Sequence, residues 1–330
     1  MSARILYTAL VVACCIMLAL SLSIGPISMG VREIVHALVP GGNSTSDIII
    51  SSIRLPRALA AMIVGAALGA SGAALQGLMR NPLAEPGVLG VSASAAFGAT
   101  MALYFGFASI SPLVVPLSAV TTALIATGFM SIAAMRARGI SSLILVGVGI
   151  SSVAGALMSL LLNFAPNPFS LADMVRWLLG SVANRSFNEL LYSVPFILVG
   201  LCLLLTIQRS LSTLSLGEEA AQGLGVNLKK TRLVTILGAG IASGASVALA
   251  GAIGFVGIAA PHIVRPLVGY DPGRTIIPSA LAGAAMVLAA DLIVRTLPTP
   301  VELQLCVIIA ILGAPLFIWI ALREGNIRNG

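Results

Sequence analysis

Residues 58–79 read ALAAMIVGAALGASGAALQGLM, and this stretch decides the fold of the chain. It carries no charged side chain between Arg57 and Arg80, and its length matches the roughly 20 apolar residues that a helix needs to cross a bilayer. Runs of similar length recur along the whole sequence. A membrane β-barrel would instead show segments of about ten residues with weakly alternating hydrophobicity. The sequence therefore predicts an all-α polytopic membrane protein.

The overall composition excludes an ordinary water-soluble domain. Of the 330 residues, 58% are hydrophobic and 9% are charged, whereas soluble proteins carry roughly 25% charged residues. In lipid the same composition is favourable, because helices satisfy their own backbone hydrogen bonds. The net charge of +7 comes from basic residues scattered at the ends of the apolar runs, so it predicts contact with membrane lipid and no nucleic-acid partner. We treat residues 1–330 as a single transmembrane domain.

Proline, glycine and charged residues divide the apolar sequence into ten predicted membrane-spanning helices. An even number of spans places both termini on the same side of the membrane. About two thirds of the 18 Lys and Arg residues then fall on the side of the termini, and by the positive-inside rule that side is the cytoplasm. The predicted helices cover residues 5–25, 54–78, 87–107, 112–135, 141–164, 190–208, 230–250, 253–268, 275–296 and 302–322.

Two segments between the spans stand out. Residues 26–53 form an external stretch in which the apolar residues of 31–39 recur at helical spacing, which predicts an amphipathic helix on the membrane face. Residues 209–232 form the most polar part of the chain, on the cytoplasmic side. Two acidic residues follow Gly217 there, in the first turn of a short predicted helix, where the helix dipole favours acids. A short helix presented between two spans suits the groove of a soluble partner, and a solvated loop is the alternative.

Side chains that perform catalysis are scarce. The chain has two histidines, His36 and His262, and its four cysteines all lie inside apolar runs, where they are expected to pack as small hydrophobic side chains. A nucleotide-binding loop is missing, because Lys229 stands where the second glycine of the motif is needed before Lys230 and Thr231. We therefore predict no catalytic residue, no metal site and no cofactor. If ATP drives this protein, another chain must hydrolyse it.

Several motifs together resemble the FecCD-type permeases, the membrane subunits of ATP-binding-cassette (ABC) importers for iron siderophores, haem and vitamin B12. The resemblance covers essentially the whole chain, with the motifs in the family's order and at its spacing. The motifs are RLPR at 54–57, LQGLMRNPLAEPGVLGV at 75–91, the segment 214–226, GAIGFVGIAAPHI at 251–263 and LGAP at 312–315.

The resemblance implies an assembly in the bacterial inner membrane, with the fold of the vitamin B12 permeases. Two permease copies, as a homodimer or a pseudo-dimer with a related chain, would enclose the translocation path. Two ATPase subunits would sit below them and a periplasmic binding protein above. The segment 214–226 would be the coupling segment that docks into the ATPase, and its residues of interest are Leu216, Gly217, Glu218, Glu219, Ala220, Ala221, Gly223, Leu224 and Gly225.

The resemblance also gives a role to arginines on the external side, which the positive-inside rule should deplete. In the family, arginines at the positions of Arg54, Arg57 and Arg295 pair with glutamates on the binding protein, and a planar guanidinium binds a carboxylate through two hydrogen bonds. Alternatively, Arg54 and Arg57 extend to lipid head groups. For Arg295 the alternative is an ion pair with Asp291, one helical turn earlier.

The resemblance leaves two further features open. Residues 139–142 match the cytoplasmic gate loop of the family, with Ser141 and Ser142 as the gate residues, although a simple tight turn explains them equally well. The family has a Glu-Leu-Pro sequence before its last helix, whereas this chain has Glu302, Leu303 and Gln304. The missing proline leaves the start of the tenth helix uncertain.

The sequence of residues 75–81 is more similar to haem permeases than to cobalamin permeases. The predicted cargo is therefore haem, with a ferric siderophore or cobalamin as the alternative. His262 lies in a motif that the family shares whatever it carries, so we expect it to pack or hydrogen-bond rather than to bind haem. An ion-coupled secondary transporter is the rival class of function. Such a carrier needs ionisable groups in the membrane, and Asp291 is the one candidate.

Overall fold

We analysed a computed structural model of the chain, which describes residues 3–25, 27–37, 44–137, 139–298 and 302–315. These residues form helices and connecting segments, and no strand occurs among them. The helices are α1 Ala3–Ser23, α2 Val31–Ala37, α3 Thr45–Ile48, α4 Leu55–Met79, α5 Val91–Tyr104, α6 Val114–Arg136, α7 Ile140–Asn163, α8 Pro168–Leu178, α9 Phe187–Thr206, α10 Gln208–Leu214, α11 Glu218–Gly223, α12 Leu228–Ala250, α13 Val256–Val264, α14 Pro272–Thr296 and α15 Leu305–Pro315.

The ten predicted spans all coincide with helices. Seven of these, α1, α4, α6, α7, α9, α12 and α14, are long and apolar enough to cross a membrane. Shorter apolar helices, α5, α13 and α15, occupy the other three positions. The last helix begins at Leu305 rather than at residue 302, and its predicted end lies outside the described residues. The all-α multi-spanning fold is therefore confirmed.

Three details of the helix pattern were not predicted. Helix α5 is shorter than residues 87–107, because Gly90 adopts a left-handed conformation with φ 75° and separates it from a 3₁₀ turn at Pro86–Leu89. A separate helix, α8, lies between the predicted fifth and sixth spans, and the side chain of Asn167 caps it by accepting from Ser170 N at 2.8 Å. A π-helical turn at Ile49–Arg54 joins α3 to α4.

Helices α4, α12 and α14 form the buried centre of the bundle, whereas α1 and α7 are mostly exposed. Small residues let the central helices approach closely, as is usual where lipid removes the hydrophobic drive between helices. A Cβ placed on Gly65 would lie 2.2 Å from the carbonyl oxygen of Gly283 in α14, and one on Gly72 would lie 1.9 Å from that of Gly257 in α13. The bundle therefore requires glycine at these crossings.

We predict that Gly72→Ala strongly destabilises the folded chain. The clash is with backbone atoms of α13, which cannot rotate away as a side chain does, and overpacking of this kind costs about 1–3 kcal/mol or more. The matched control is Gly128→Ala in α6, where an added Cβ meets nothing within 4 Å. Thermal melting of the detergent-solubilised variants measures the difference. Equal melting temperatures for the two variants would contradict the close packing.

The bundle has two ends with different chemistry. At one end, the last turn of α1 meets the end of the π-helical turn before α4 and the last turn of α14, and arginines gather there. At the other end, α10 packs against the start of α14, where the Ser212 hydroxyl donates to the Asp271 carboxylate. The coupling segment 214–226 follows α10 directly. We call these the arginine end and the coupling end.

Candidate functional site

The arginine end brings together the three arginines that the sequence singled out. Arg54 is buried, and its guanidinium donates to the backbone carbonyls of Leu22 at 2.7 Å and Ser23 at 3.0 Å, and to that of Ile27. The last carbonyls of a helix lack partners within the helix, so Arg54 caps the end of α1. This contact gives Arg54 a structural role that the sequence did not predict.

Arg57 and Arg295 hold a buried carboxylate between them. Asp291 is 0% exposed and lies 2.8 Å from Arg57 and 3.1 Å from Arg295. The ion pair between Asp291 and Arg295, which the sequence spacing allowed, is therefore present. Arg57 also pairs with Glu302, whose side chain is 42% exposed. Asp291 is therefore part of an internal ion-pair cluster with two arginines, and this weighs against the secondary-transporter hypothesis.

All three arginines line one cavity of about 260 Å³ at this end, together with residues of the α1–α2 connection and the π-helical turn. The cluster contains three guanidinium groups and two carboxylates, Asp291 and Glu302, so one positive charge is left over (3 − 2 = 1). A cavity of that charge suits a further carboxylate, because guanidinium and carboxylate form strong charge-assisted hydrogen bonds.

The coupling segment folds as the sequence predicted. Gly217, with φ 114°, precedes helix α11, and Gly225, with φ 86°, follows it, conformations that L side chains rarely adopt. Ala221 faces the bundle and is fully buried. Two leucines point the other way: Leu216 and Leu224 are each 66% exposed. The segment therefore presents an apolar surface at the coupling end.

One arginine ties the coupling segment to the start of α12 and to the end of α6. Arg232 is 6% exposed and donates to both carboxylate oxygens of Glu218, each at 2.9 Å. It also donates to the carbonyl oxygen of Ala137 at 3.4 Å. Ala137 is the residue after α6, two positions before the predicted gate loop. The sequence did not predict this contact, since no spacing in it places Arg232 beside Glu218.

The predicted gate residues lie in the first turn of α7. Ser141 and Ser142 are both exposed, and Gly139 has open space around it. Farther along α7, Gly149 and Gly155 also face open space, and Ser152 is exposed. Leu145 and Val148 are exposed on the same face, so this face of α7 combines large apolar side chains with small and polar ones.

Glu85 is a partly buried carboxylate to which the sequence analysis assigned no role. The loop after α4 folds back into the bundle, and Glu85 lines a cavity of about 110 Å³ at the break between α12 and α13. Burial raises the pKa of the Glu85 carboxyl, and a hydrogen bond from the backbone N–H of Phe255 opposes that shift. A single acid in a loop carries no periodic signal, so only the fold revealed its position.

The structure places the two histidines in different surroundings. The side chain of His36 is 72% exposed, with Nδ1 3.4 Å from Asp47, and His262 is partly buried in α13 beside Pro261. Over the parts of the chain that the structure describes, no three His, Cys, Asp or Glu residues are grouped so that they could hold a metal ion.

Comparison with known proteins gives one consistent result. Residues 12–323 match the FecCD transport family. The hemin transport system permease protein HmuU of Yersinia pestis is 34% identical over 96% of this chain and 96% of that protein. The vitamin B12 import system permease protein BtuC of Escherichia coli is 39% identical over 87% and 88%. The ABC transporter permease protein YvrB of Bacillus subtilis is 39% identical over 84% and 79%.

The fold agrees with a solved structure as well. A metal-chelate type ABC transporter in an inward-facing conformation superposes with a TM-score of 0.86 and 34% sequence identity, covering 97% of this chain and 99% of that one. The match therefore extends over the whole bundle, including both of its ends. Family permeases of this kind work with an ATPase and a binding protein. From these likenesses and from the motifs at both ends, the chain belongs to the FecCD transport family and is the permease subunit of an ABC importer.

Proposed function

We propose that this permease moves haem across the bacterial inner membrane, with both termini in the cytoplasm. Two copies of a separate ATPase supply the energy, and a periplasmic binding protein delivers the cargo. A ferric siderophore or cobalamin is the alternative cargo, since relatives named for hemin and for vitamin B12 are both similar to this chain. The main support for the proposal is the coupling segment, because a folded helix with an outward apolar surface needs a partner such as the ATPase.

At the coupling end, Leu216 and Leu224 would enter a groove of the ATPase. The neighbouring Arg232 bridges Glu218 of this segment and Ala137 at the end of α6. A movement of α11 imposed by the ATPase would therefore pull on the connection that leads to Ser141 and Ser142. We propose this contact as the route by which hydrolysis reaches the cytoplasmic gate.

At the arginine end, Arg57 and Arg295 would receive a glutamate of the binding protein in the cavity described above. Glu302 already occupies one side of Arg57, and its exposure leaves room for a competing carboxylate. Arg54 would contribute by fixing the end of α1, which forms one wall of the cavity. Docking would then displace Glu302, which lies three residues before α15.

A second copy of the chain would cover α7. This helix carries exposed serines and glycines with open space around them, and small residues are what helix pairs in membranes use to approach closely. Two such faces would enclose a path that interacts weakly with its cargo. We propose a homodimer, in which the Ser141 and Ser142 turns of the two copies meet to close the path.

We predict that vesicles containing the permease, its ATPase and a haem-loaded binding protein take up haem when ATP is present. His36→Ala should transport at a near-normal rate, because this exposed side chain lies outside the spans and a path must release its cargo. Parallel vesicles receive a ferric siderophore or cobalamin, each on its own binding protein. Uptake of either one without haem would overturn the cargo proposal. Absence of ATP-dependent uptake of all three would overturn the proposed transport function.

A further inference from the structure

Helix α14 joins the arginine end to the coupling end. Its 25 residues, Pro272–Thr296, span about 37 Å. The last turns of α14 carry Asp291 and Arg295, which belong to the cluster at the arginine end. Its start meets α10 at the coupling end. One continuous helix therefore contacts both of the regions that are proposed to meet a partner.

Helix α4 is held against α14 over this whole distance. At the arginine end, Arg57 of α4 pairs with the buried carboxylate of α14 at 2.8 Å. Farther along, Gly69 lies so close to α14 that an added Cβ would overlap the carbonyl oxygen of Ser279. At the coupling end, a Cβ on Gly77 would lie 2.9 Å from the Cβ of Pro272. Because such closely packed interiors resist deformation, α4 and α14 should move as one body.

Helix α10 packs on the coupling-end tips of both helices. The side chain of Leu211 is 0% exposed and lies 3.7 Å from the position of a Cβ on Gly77 of α4. Gly273 of α14 lies against the carbonyl oxygen of Gln208, where any side chain would clash. Apolar packing is non-directional. It therefore holds α10 in place but does not by itself fix the orientation of this helix on α14.

A single polar side chain supplies the direction. The Ser212 hydroxyl donates to the Asp271 carboxylate, which also caps α14 by accepting from the backbone N–H groups of Gly273 at 2.9 Å and Arg274 at 3.1 Å. The hydroxyl also lies 3.2 Å from the Gln208 carbonyl oxygen in its own helix, but a charged carboxylate is the stronger acceptor. Ser212 therefore connects α10 to the backbone of α14.

Helix α10 leads into the coupling segment without a flexible linker. The backbone N–H groups of Ser215, Leu216 and Gly217 each donate to the carbonyl oxygen three residues earlier, at 3.3, 3.1 and 3.1 Å. The exposed Leu216 is therefore held at a fixed position relative to α10. A shift of α14 that reached α10 through Asp271 would displace the leucine that is proposed to enter the ATPase.

We propose that Ser212 is a positioning residue that links docking of the binding protein to ATP hydrolysis. A glutamate that enters the arginine end would disturb the ion pairs of Asp291 and shift α4 together with α14. The hydrogen bond from Ser212 to Asp271 would carry that shift to Leu216. This role rests on the proposed function, because it needs a binding protein at one end and an ATPase at the other.

The test measures ATP hydrolysis by the permease and its ATPase in vesicles, with and without the loaded binding protein. Ser212→Ala should leave hydrolysis without the binding protein unchanged. The increase in hydrolysis that the binding protein causes should fall about tenfold, because loss of a hydrogen bond to a charged group shifts an equilibrium by about that factor or more. The matched control is Thr213→Ala, which removes a hydroxyl that donates to the Arg209 carbonyl oxygen of the same helix at 2.9 Å. It should keep the full increase.

A second substitution tests whether the hydrogen bond itself is responsible. Asp271→Asn should preserve the start of α14, because asparagine caps helices as well as aspartate does, but its neutral amide is a weaker acceptor for Ser212. If both residues act through one hydrogen bond, their effects are not additive. The double variant of Ser212→Ala with Asp271→Asn should therefore lose no more of the increase than Ser212→Ala alone.

The positioning role is overturned if Ser212→Ala keeps the full increase, or if the losses of the two single variants multiply in the double variant. It is also overturned if Ser212→Ala lowers hydrolysis equally with and without the binding protein, since a purely structural residue would behave in that way. Failure of the proposed function is recognised separately. In that case the binding protein would not increase hydrolysis even by the unaltered complex, and the role of Ser212 would be refuted with it.

Discussion

Arg57→Glu should abolish uptake while the ATPase stays bound to the permease. The substitution removes the cation that faces both Asp291 and Glu302 and places a third carboxylate at the arginine end. Breaking a desolvated charge pair at an interface costs about 2–5 kcal/mol, so affinity for the binding protein should fall about 30-fold or more. Surface plasmon resonance on the reconstituted permease measures this affinity, and vesicle uptake measures transport.

Controls separate docking from folding. Arg32→Glu reverses the charge of an exposed residue of α2 that does not line the cavity. It should leave the affinity for the binding protein unchanged. Glu302→Gln removes the exposed internal competitor while Asp291 still holds Arg57, so it should bind the binding protein more tightly. If Glu302→Gln does not change the affinity and Arg57→Glu docks normally, the arginine end is not the docking site.

The double substitution of Leu216→Asp with Leu224→Asp should remove the ATPase from the purified complex. Both side chains are 66% exposed on the outer surface of the coupling segment, and burying each leucine in a partner's groove contributes about 1.5–3 kcal/mol. Carboxylates in a closed groove would add a desolvation cost. Co-purification of the two subunits and ATP hydrolysis by the eluate measure the association.

The matched control is Leu83→Asp, another exposed leucine, which follows α4 and lies outside the coupling segment. It should retain the ATPase. Because Leu216 and Leu224 do not contribute to the buried core, the doubly substituted permease should still elute as a folded species. An ATPase that remains bound to it at normal stoichiometry would refute the proposed coupling role.

The sequence by itself determined the class of fold and the position of most helices. Apolar runs of membrane length are a local signal, because each helix in lipid must satisfy its own backbone groups. Helix α11 could also be predicted, since Gly217 and the two acids after it are a local signal for the start of a helix and depend on no tertiary contact. Helix α8 was not predicted, because its residues have weak periodicity. Its start, Asn167 followed by Pro168, was not recognised as a cap and a first helical turn.

Only the tertiary structure decided which charged residues meet. Arg57 and Asp291 lie 234 positions apart, and Gln76 and Arg265 lie 189 apart, so no pattern in the chain could pair them. The exposed arginines expected at the outer face proved to be mostly buried and internally paired, because α1, α4 and α14 converge there and unpaired charges are costly in such a site. Which groups surround each arginine therefore depends on how the helices pack.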